Sequence, residues 1–310
     1  MKKRVGVIGV GNVGATIAYN LALKESCDEI LLKDIREDYT KAVALDISQA
    51  SCAINSKTKI EAVSNNADFK ECNIIVITAG IARKPGMNRD DLLLTNAEIM
   101  KSIIEKIVKL NRDAIIIIVS NPLDAMVYTA LKISKFPRNR VLGMAGILDS
   151  SRMSYFIQEK LGKKDIQALV LGGHGDEMVP LIDSTKADGI SISKLLSQKQ
   201  IDEIIEKTKN GGVEIVKLLK TGSAYYAPAH STLLMIEAIL NDEKKIYPCA
   251  VKLEGEYGFK DTVTGVPVVL GKNGVEKIVE YKLSLAEQKA FATSIKSVNT
   301  LINKVEKYIK

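Results

Sequence analysis

Short apolar runs alternate with longer amphipathic runs along the first half of the chain. The apolar runs are Arg4–Ile8, "EILLKD" ending in Asp34, "KTKIEAV", "NIIVITAG" and "AIIIIVSNP". The last two are nearly all apolar, which is typical of parallel strands that are covered on both faces. The runs between them repeat with helical periodicity and include Val13–Leu23, Asp91–Leu110 and Leu123–Ile133. This alternation predicts an α/β fold with a doubly wound parallel sheet in its N-terminal half.

The second half of the chain has a mixed pattern. The predicted elements are a helix at "ILDSSRMSYFIQEKLG", a strand at Ala168–Leu171, further helices, an antiparallel region at Tyr247–Val279 and a long helix from about Leu283. A chain of 310 residues is long enough for two domains. The change of pattern near Gly143 therefore predicts a doubly wound domain at residues 1–143 and a C-terminal α+β domain at residues 144–310.

Three glycines follow the first apolar run with G-x-G-x-x-G spacing, at Gly9, Gly11 and Gly14. In this motif the first glycine permits a tight turn, the second lets the backbone approach a pyrophosphate, and the third lets helix and strand pack closely. The N-terminus of the following helix then offers its N–H groups to the phosphates. Because a predicted strand precedes these glycines and a predicted helix follows them, the spacing indicates a dinucleotide-binding domain of the Rossmann type.

Asp34 ends the second predicted strand, at the position where a carboxylate can accept a hydrogen bond from a ribose 2′-hydroxyl. The same carboxylate would repel a 2′-phosphate, so Asp34 predicts NAD rather than NADP as the cofactor. Arg36 stands two positions later and could pair with a 2′-phosphate. The strength of the preference therefore stays open at this point.

Composition and charge exclude several classes of protein. With 46% hydrophobic and 26% charged residues, the chain has the composition of a soluble globular protein. The net charge of +7 comes from lysines that are interleaved with acids along helical runs, so we expect anionic small substrates rather than nucleic acid. No run is long enough to span a bilayer, and the four cysteines form no C-x-x-C pair. We therefore expect a cytoplasmic protein without a membrane partner or a metal site.

The segment "LVLGGHGDEM" carries His174, one of only two histidines in the chain. An imidazole titrates near neutral pH, so it can act as a general acid and base. Asp149 and Arg152 in "LDSSR" are three positions apart, which places them on one face of the predicted helix. Two interpretations remain at this point, a local surface ion pair and a pair of side chains that face a cleft.

The segment "AGIARKPGMNRDDLL" follows an apolar strand, and its proline and glycine predict a loop. Arg83 and Arg89 flank these two residues. A loop at the end of this strand would lie over the cofactor site. It could therefore act as a lid that brings guanidinium groups to a bound anion.

Five motifs in this order, "GVGNVG", "RKPGMNR", "VSNPLD", "LDSSR" and "GGHGD", make the chain resemble the lactate/malate dehydrogenase family over essentially its whole length. The resemblance implies an NAD-dependent oxidoreductase that transfers a hydride from a 2-hydroxy acid, with the C-terminal α+β domain as its substrate domain. It implies that His174 is the general acid/base and that Asp149 orients it. It also implies that Arg152 binds the substrate carboxylate, Arg89 polarises the reacting carbonyl, and Asn121 bonds substrate and cofactor. The implied cofactor contacts are Gly9, Gly11, Asn12, Val13, Gly14, Asp34, Asn96, Val119 and Asn121.

Arg83 indicates which 2-hydroxy acid is the substrate. A cation at this position resembles the malate-oxidising members of the family, whereas lactate-oxidising members usually have glutamine there. The small residues Gly222–Ala224 resemble the same members. The implied reaction is the reversible oxidation of (S)-malate, a small-molecule dicarboxylate, to oxaloacetate, as in the tricarboxylic acid cycle, by a homodimer or homotetramer. The alternative is an L-lactate dehydrogenase or a relaxed 2-hydroxy acid dehydrogenase. The second histidine, His230, is expected to be structural.

Overall fold

The structure, a computed structural model, describes residues 2–81, 89–175 and 177–309, with only the backbone of Arg89. The helices of these segments are α1 (Asn12–Leu23), α2 (Glu37–Ala53), α3 (Arg89–Leu110), α4 (Leu123–Ser134), α5 (Gly146–Leu161), α6 (Gln198–Leu219), α7 (Tyr226–Leu240) and α8 (Leu285–Ile309). The long strands are β1 (Arg4–Ile8), β2 (Glu29–Lys33), β3 (Lys59–Ala62), β4 (Ile74–Ile77), β5 (Ile115–Ile118) and β6 (Val141–Met144), then β12 (Lys245–Glu254), β13 (Lys260–Gly271) and β14 (Gly274–Ile278). The short strands are β7 (Ile166–Gln167), β8 (Val170–Leu171), β9 (Val179–Pro180), β10 (Lys186–Ala187) and β11 (Ile190–Ser191).

Nine of the strands just named form one sheet in the order β3-β2-β1-β4-β5-β6-β12-β13-β14. Strands β1 to β6 are parallel, and their order is that of a Rossmann domain. The predicted doubly wound fold and the predicted antiparallel region are therefore confirmed. The sequence pattern did not predict that the antiparallel strands extend the same sheet. They do so because β12 pairs with β6, with Cys249 opposite Met144 and Ala250 opposite Gly143.

Apolar side chains on both faces of the parallel strands explain why these runs lack polar alternation. In β4, Ile74 and Val76 join the core on one face, while Ile75 and Ile77 join the core on the other. Side chains of α1, α2 and α7 complete the first core. Those of α3, α4 and α8 complete the second. The result is a sheet between two helical layers, in which both faces of the central strands are removed from water.

A third cluster of apolar residues supports the segment that carries His174. It packs Met153 and Ile157 of α5 against Val170 of β8 and against Ile201 and Ile204 of α6. In addition, the hydroxyl of Ser150 accepts a hydrogen bond from the Val170 N–H at 3.0 Å. The helix that carries Asp149 and Arg152 is thus fixed directly to the strand that leads to the histidine.

Several predicted elements differ in length from those observed. Helix α1 begins one residue earlier than predicted, and α8 begins at Leu285 rather than about Leu283. The predicted histidine strand is shorter, at Val170–Leu171. The four cysteines are free thiols. None of the helices in the described segments is both long enough and apolar enough to cross a membrane.

Candidate active site

The three glycines of the motif, after the end of β1, differ in how much space a side chain would have. Gly9 has φ +96°, and a Cβ there would lie 2.5 Å from the nitrogen of Ala79, which follows the end of β4. A Cβ on Gly14 would overlap the Gly9 carbonyl oxygen. A Cβ on Gly11 would meet nothing within 4 Å. Gly9 and Gly14 therefore allow close packing, while Gly11 borders open space that a pyrophosphate could enter.

Helix α1 begins at this open space. Its N-cap is Gly11, which has no side chain to bond the first N–H groups, and its first turn contains no acidic residue. The free N–H groups and the positive end of the helix dipole are therefore left for an anion. Together with the glycine turn, this arrangement fits the pyrophosphate of a dinucleotide.

Asp34 lies at the end of β2, beside the same turn. One carboxylate oxygen accepts the Val10 N–H at 2.7 Å, and the other accepts the Arg36 guanidinium Nε at 3.1 Å. Burial raises the pKa of Asp34, but the hydrogen bonds from Arg36 and Val10 outweigh this effect and lower it overall. The Arg36 guanidinium also lies 4.2 Å from the centre of the Tyr39 ring. Asp34 is therefore ionised at neutral pH, and Arg36 is already paired with a carboxylate.

Asp149, Arg152 and His174 form one hydrogen-bonded set. The imidazole Nδ1 of His174 lies 2.9 Å from Asp149 Oδ2, and Arg152 Nη1 donates to Asp149 Oδ1 at 3.2 Å. Asp149 is only 1% exposed. The Asp149–Arg152 ion pair of "LDSSR" is present, but it is largely buried rather than on the surface, and Arg152 lines a cleft.

The Asp149 carboxylate determines the state of the histidine. A carboxylate can only accept, so Nδ1 carries a hydrogen and Nε2 is the nitrogen that can take or give a proton. Burial lowers the pKa of His174, but the negative charge and hydrogen bond of Asp149 raise it more, so the net shift is upward. The imidazolium is therefore held to a higher pH than in a free histidine.

A cleft of about 430 Å³ lies in front of this set. Five residues predicted from the sequence line it together: Val13, Val119, Asn121, Arg152 and His174. Residues of the small "GSA" segment line it as well, namely Ser223 and Ala224. Val13, at the end of the glycine turn, and His174 therefore line one cavity, although they come from opposite halves of the chain.

Asn96 is placed differently from the predicted residues that line the cleft. Asn96 is 3% exposed, and its amide bonds the backbone of Ile81 and the carbonyl oxygen of Asn121. It therefore links the segments that follow β4 and β5 in this structure. Arg83 lies outside the described residues, as does the side chain of Arg89.

Helix α6 supplies a wall of the cleft that sequence reasoning missed. Its lining residues are Lys209, Gly212, Val213 and Val216. A Cβ on Gly212 would lie 3.3 Å from Arg152 Nη2, so the glycine makes room for the guanidinium. A signal was present in the sequence, because a glycine pair inside a helix costs about 1 kcal/mol per residue relative to alanine and calls for a packing reason.

Comparisons with known proteins cover the whole chain. Residues 3–143 match the model of the lactate/malate dehydrogenase NAD binding domain, and residues 147–309 match that of the family's alpha/beta C-terminal domain. The malate dehydrogenase of Aliarcobacter butzleri is 61% identical over 98% of both chains. The crystal structure of Cryptosporidium parvum malate dehydrogenase superposes with a TM-score of 0.95 at 42% identity, covering 99% of this chain and 100% of that one. The lactate dehydrogenase of the same organism, solved with lactic acid and nicotinamide adenine dinucleotide, has a TM-score of 0.95 at 39% identity and covers 99% and 98% of the two chains.

Proposed function

The chain belongs to the lactate/malate dehydrogenase family, and from this premise we propose that it is an NAD-dependent malate dehydrogenase. It interconverts (S)-malate and oxaloacetate. The observation that carries this proposal is the single cleft in which Arg152 and His174, backed by Asp149, face the end of the glycine turn. The open Gly11 cradle and the uncapped start of α1 fit NAD at that turn.

His174 moves the proton in this reaction. When malate is oxidised, Nε2 accepts the proton of the C2 hydroxyl. NAD held at the glycine turn would supply the acceptor for the C2 hydride, and NADH would supply the hydride in the reverse direction. Asp149 holds the imidazole by Nδ1 and stabilises the imidazolium that forms, as the acid does in hydrolase triads. When oxaloacetate is reduced, the imidazolium returns the proton to the carbonyl oxygen. The charge and hydrogen bond of Asp149 raise the pKa of His174 and so favour that imidazolium.

The arginines bind the substrate. Arg152 lines the cleft beside His174, where its guanidinium can hold the C1 carboxylate through two parallel hydrogen bonds. Arg152 already shares the Asp149 carboxylate with His174, so substrate binding and base orientation are linked through one residue. We assign the reacting carbonyl to Arg89 and the second carboxylate of the substrate to Arg83, from their places in "RKPGMNR". We assign Asn121 to a hydrogen bond with substrate and cofactor, since it lines the same cleft.

The direct test is an absorbance assay of NADH consumption with oxaloacetate, with pyruvate and without substrate. We expect rapid consumption with oxaloacetate and much slower consumption with pyruvate. Equal or faster turnover of pyruvate would favour the lactate dehydrogenase or relaxed 2-hydroxy acid dehydrogenase alternative. Binding of NADH without turnover of either substrate would refute the assignment of this activity.

Asp34 should make the enzyme prefer NAD over NADP. A 2′-phosphate would meet an ionised carboxylate, and such like-charge contacts cost several kcal/mol, so we expect a kcat/KM ratio of about 10²-fold. Asp34→Asn removes the charge and should reduce this ratio. Arg36→Gln is the matched control, and it should leave NAD preferred. If wild type uses both cofactors equally, or if Arg36→Gln abolishes the preference, then Arg36 rather than Asp34 governs this pocket.

Further assignments rest on the family. We propose that residues 1–143 bind the cofactor and that residues 144–310 supply the acid–base pair and most of the substrate wall. We also propose a homodimer or homotetramer that works in the cytoplasm, in the tricarboxylic acid cycle. Light scattering on the purified protein measures the oligomeric state, and a monomeric mass would contradict that part.

A further inference from the structure

Three consecutive peptide N–H groups before and at His174 are bonded to three different elements of the fold. The Gly172 N–H donates to the Gly265 carbonyl of β13 at 2.9 Å. The Gly173 N–H donates to the Ser294 hydroxyl of α8 at 2.8 Å. The His174 N–H donates to Asp124 Oδ2 of α4 at 3.0 Å. The backbone that carries the imidazole is therefore anchored residue by residue.

The two glycines before the histidine make this anchoring possible. A Cβ on Gly172, which has φ +88°, would lie 2.7 Å from the Ser294 hydroxyl oxygen. A Cβ on Gly173 would lie 2.6 Å from a methyl carbon of Val298, one turn further along α8. Larger residues would push α8 away, and the serine could no longer reach the peptide. The two glycines of "GGH" therefore allow this segment to pack closely against α8.

Asp124 differs from the other two acceptors, the Gly265 carbonyl and the Ser294 hydroxyl, because it can carry a charge. It is 5% exposed, and its second carboxylate oxygen, Oδ1, has no hydrogen-bond partner among the described residues. A neutral serine is enough to hold the neighbouring peptide, so a charge is not needed to hold an N–H group. Burying a carboxylate with one unpaired oxygen is unfavourable. Its position in the first turn of α4 offsets only part of that penalty.

We infer that Asp124 and Ser294 are positioning residues for the acid/base of the proposed reaction: they hold the peptide of His174 and thereby fix its imidazole against Asp149 and the cleft. This inference rests on the proposed function. Asp124 also acts on His174 through its charge. Among the described residues, the charged groups that face the imidazole are Asp149 and Arg152 from α5 and Asp124 from α4, with Lys209 of α6 on the same cleft.

The charge of Asp124 adds to that of Asp149. Burial raises the pKa of Asp124 to about 6, so it is ionised at neutral pH and becomes neutral in mild acid. In the ionised form it raises the pKa of His174, whereas Arg152 lowers it. A neutral Asp124 can still accept the His174 N–H through its carbonyl oxygen. The effect of the hydrogen bond from the His174 N–H and the effect of the Asp124 charge can therefore be separated by experiment.

The variants that separate them are Asp124→Ala, Asp124→Asn and Ser294→Ala. Each alanine removes one anchor, and we expect kcat for malate oxidation to fall about 10-fold to 10²-fold, since small displacements of a catalytic group have effects of this size. The dissociation constant of NADH, measured by fluorescence, should stay close to that of wild type. Asp124→Asn keeps an acceptor, so kcat should be much closer to wild type.

The matched control is Thr129→Val. Thr129 lies on α4, is fully buried, and donates to the Ala125 carbonyl at 2.7 Å, so this variant loses a buried hydrogen bond on the same helix without touching the loop. We expect its kcat to be unchanged. If Ser294→Ala and Asp124→Ala keep the wild-type kcat, or if Thr129→Val loses as much as they do, the positioning role is wrong.

A second measurement does not depend on activity or on the stability of the alanine variants. Because the chain has two histidines, NMR of protein labelled in histidine gives two imidazole signals, and His174→Asn identifies the relevant one. Asp124→Asn should lower the pKa of His174, a change that a purely structural role would not produce. An unchanged titration would overturn the electrostatic part. If wild type does not turn over malate, the proposed function fails, while this titration still tests the link between Asp124 and His174.

Discussion

His174→Asn is expected to abolish nearly all turnover while NADH still binds. Asparagine is polar and smaller than histidine, but it cannot take up or release a proton near neutral pH. Loss of a general acid/base lowers kcat by about 10²–10⁴-fold or more. The glycine turn and Asp34 lie in the other half of the chain and do not depend on the imidazole, so the dissociation constant of NADH should change little. Steady-state kcat with both substrates and NADH fluorescence titration measure the two effects.

The chain provides a matched control for this variant. His230 is exposed on α7 and is not among the described residues that line the cleft. Histidine and asparagine have similar helix propensities, so His230→Asn should leave kcat and stability close to wild type. Near-normal turnover in His174→Asn would refute the assignment of the proton carrier. A comparable loss in His230→Asn would show that the effect is not specific to the cleft.

Arg83→Gln is expected to shift the preference from oxaloacetate towards pyruvate. Oxaloacetate brings a second carboxylate that we assign to Arg83, and a desolvated charge without its partner costs on the order of 3–5 kcal/mol. This penalty corresponds to a loss of roughly 10²–10³-fold in kcat/KM for oxaloacetate, at about 1.4 kcal/mol per factor of ten. Pyruvate has a methyl group at that position, so its kcat/KM should rise, although by less than oxaloacetate loses. The measurement is kcat/KM for both substrates in wild type and variant.

Two comparisons show whether Arg83 acts through its charge. Arg83→Lys keeps a cation but loses the planar fork of the guanidinium, so it should retain more oxaloacetate activity than Arg83→Gln. Arg152→Gln should impair both substrates alike, because Arg152 is assigned to the carboxylate that they share. An unchanged ratio of oxaloacetate to pyruvate in Arg83→Gln would mean that Arg83 does not recognise the second carboxylate.

Local features of the sequence predicted the first half of the fold and much of the cleft. The glycine spacing, the apolar runs and Asp34 are each informative within a few residues, and the structure places them as the pattern indicated. His174 and Asp149 come together although they are separated by 25 positions. Their pairing was expected from the family resemblance, because local periodicity cannot show which distant side chains meet.

Other parts of the site could not be predicted for the same physical reason. The contact between Ser294 and the peptide of Gly173 spans 121 positions, and a serine inside an amphipathic helix carries no local signal. The pairing of β12 with β6 likewise depends on tertiary packing rather than on strand propensity. Gly211 and Gly212 were a signal that could have been used, since glycines are unfavourable inside a helix.

The hydrogen-bond ladder between β6 and β12 restricts how this enzyme can move. Two halves joined only by a linker could rotate about a hinge to admit a ligand. Here such a rotation would have to break the pairing of Met144 with Cys249 and of Gly143 with Ala250 in the middle of a buried sheet. We therefore expect ligands to enter and leave the cleft without a rotation of one half against the other. The same ladder links the halves mechanically, so we expect them to lose their structure in one cooperative transition rather than one after the other.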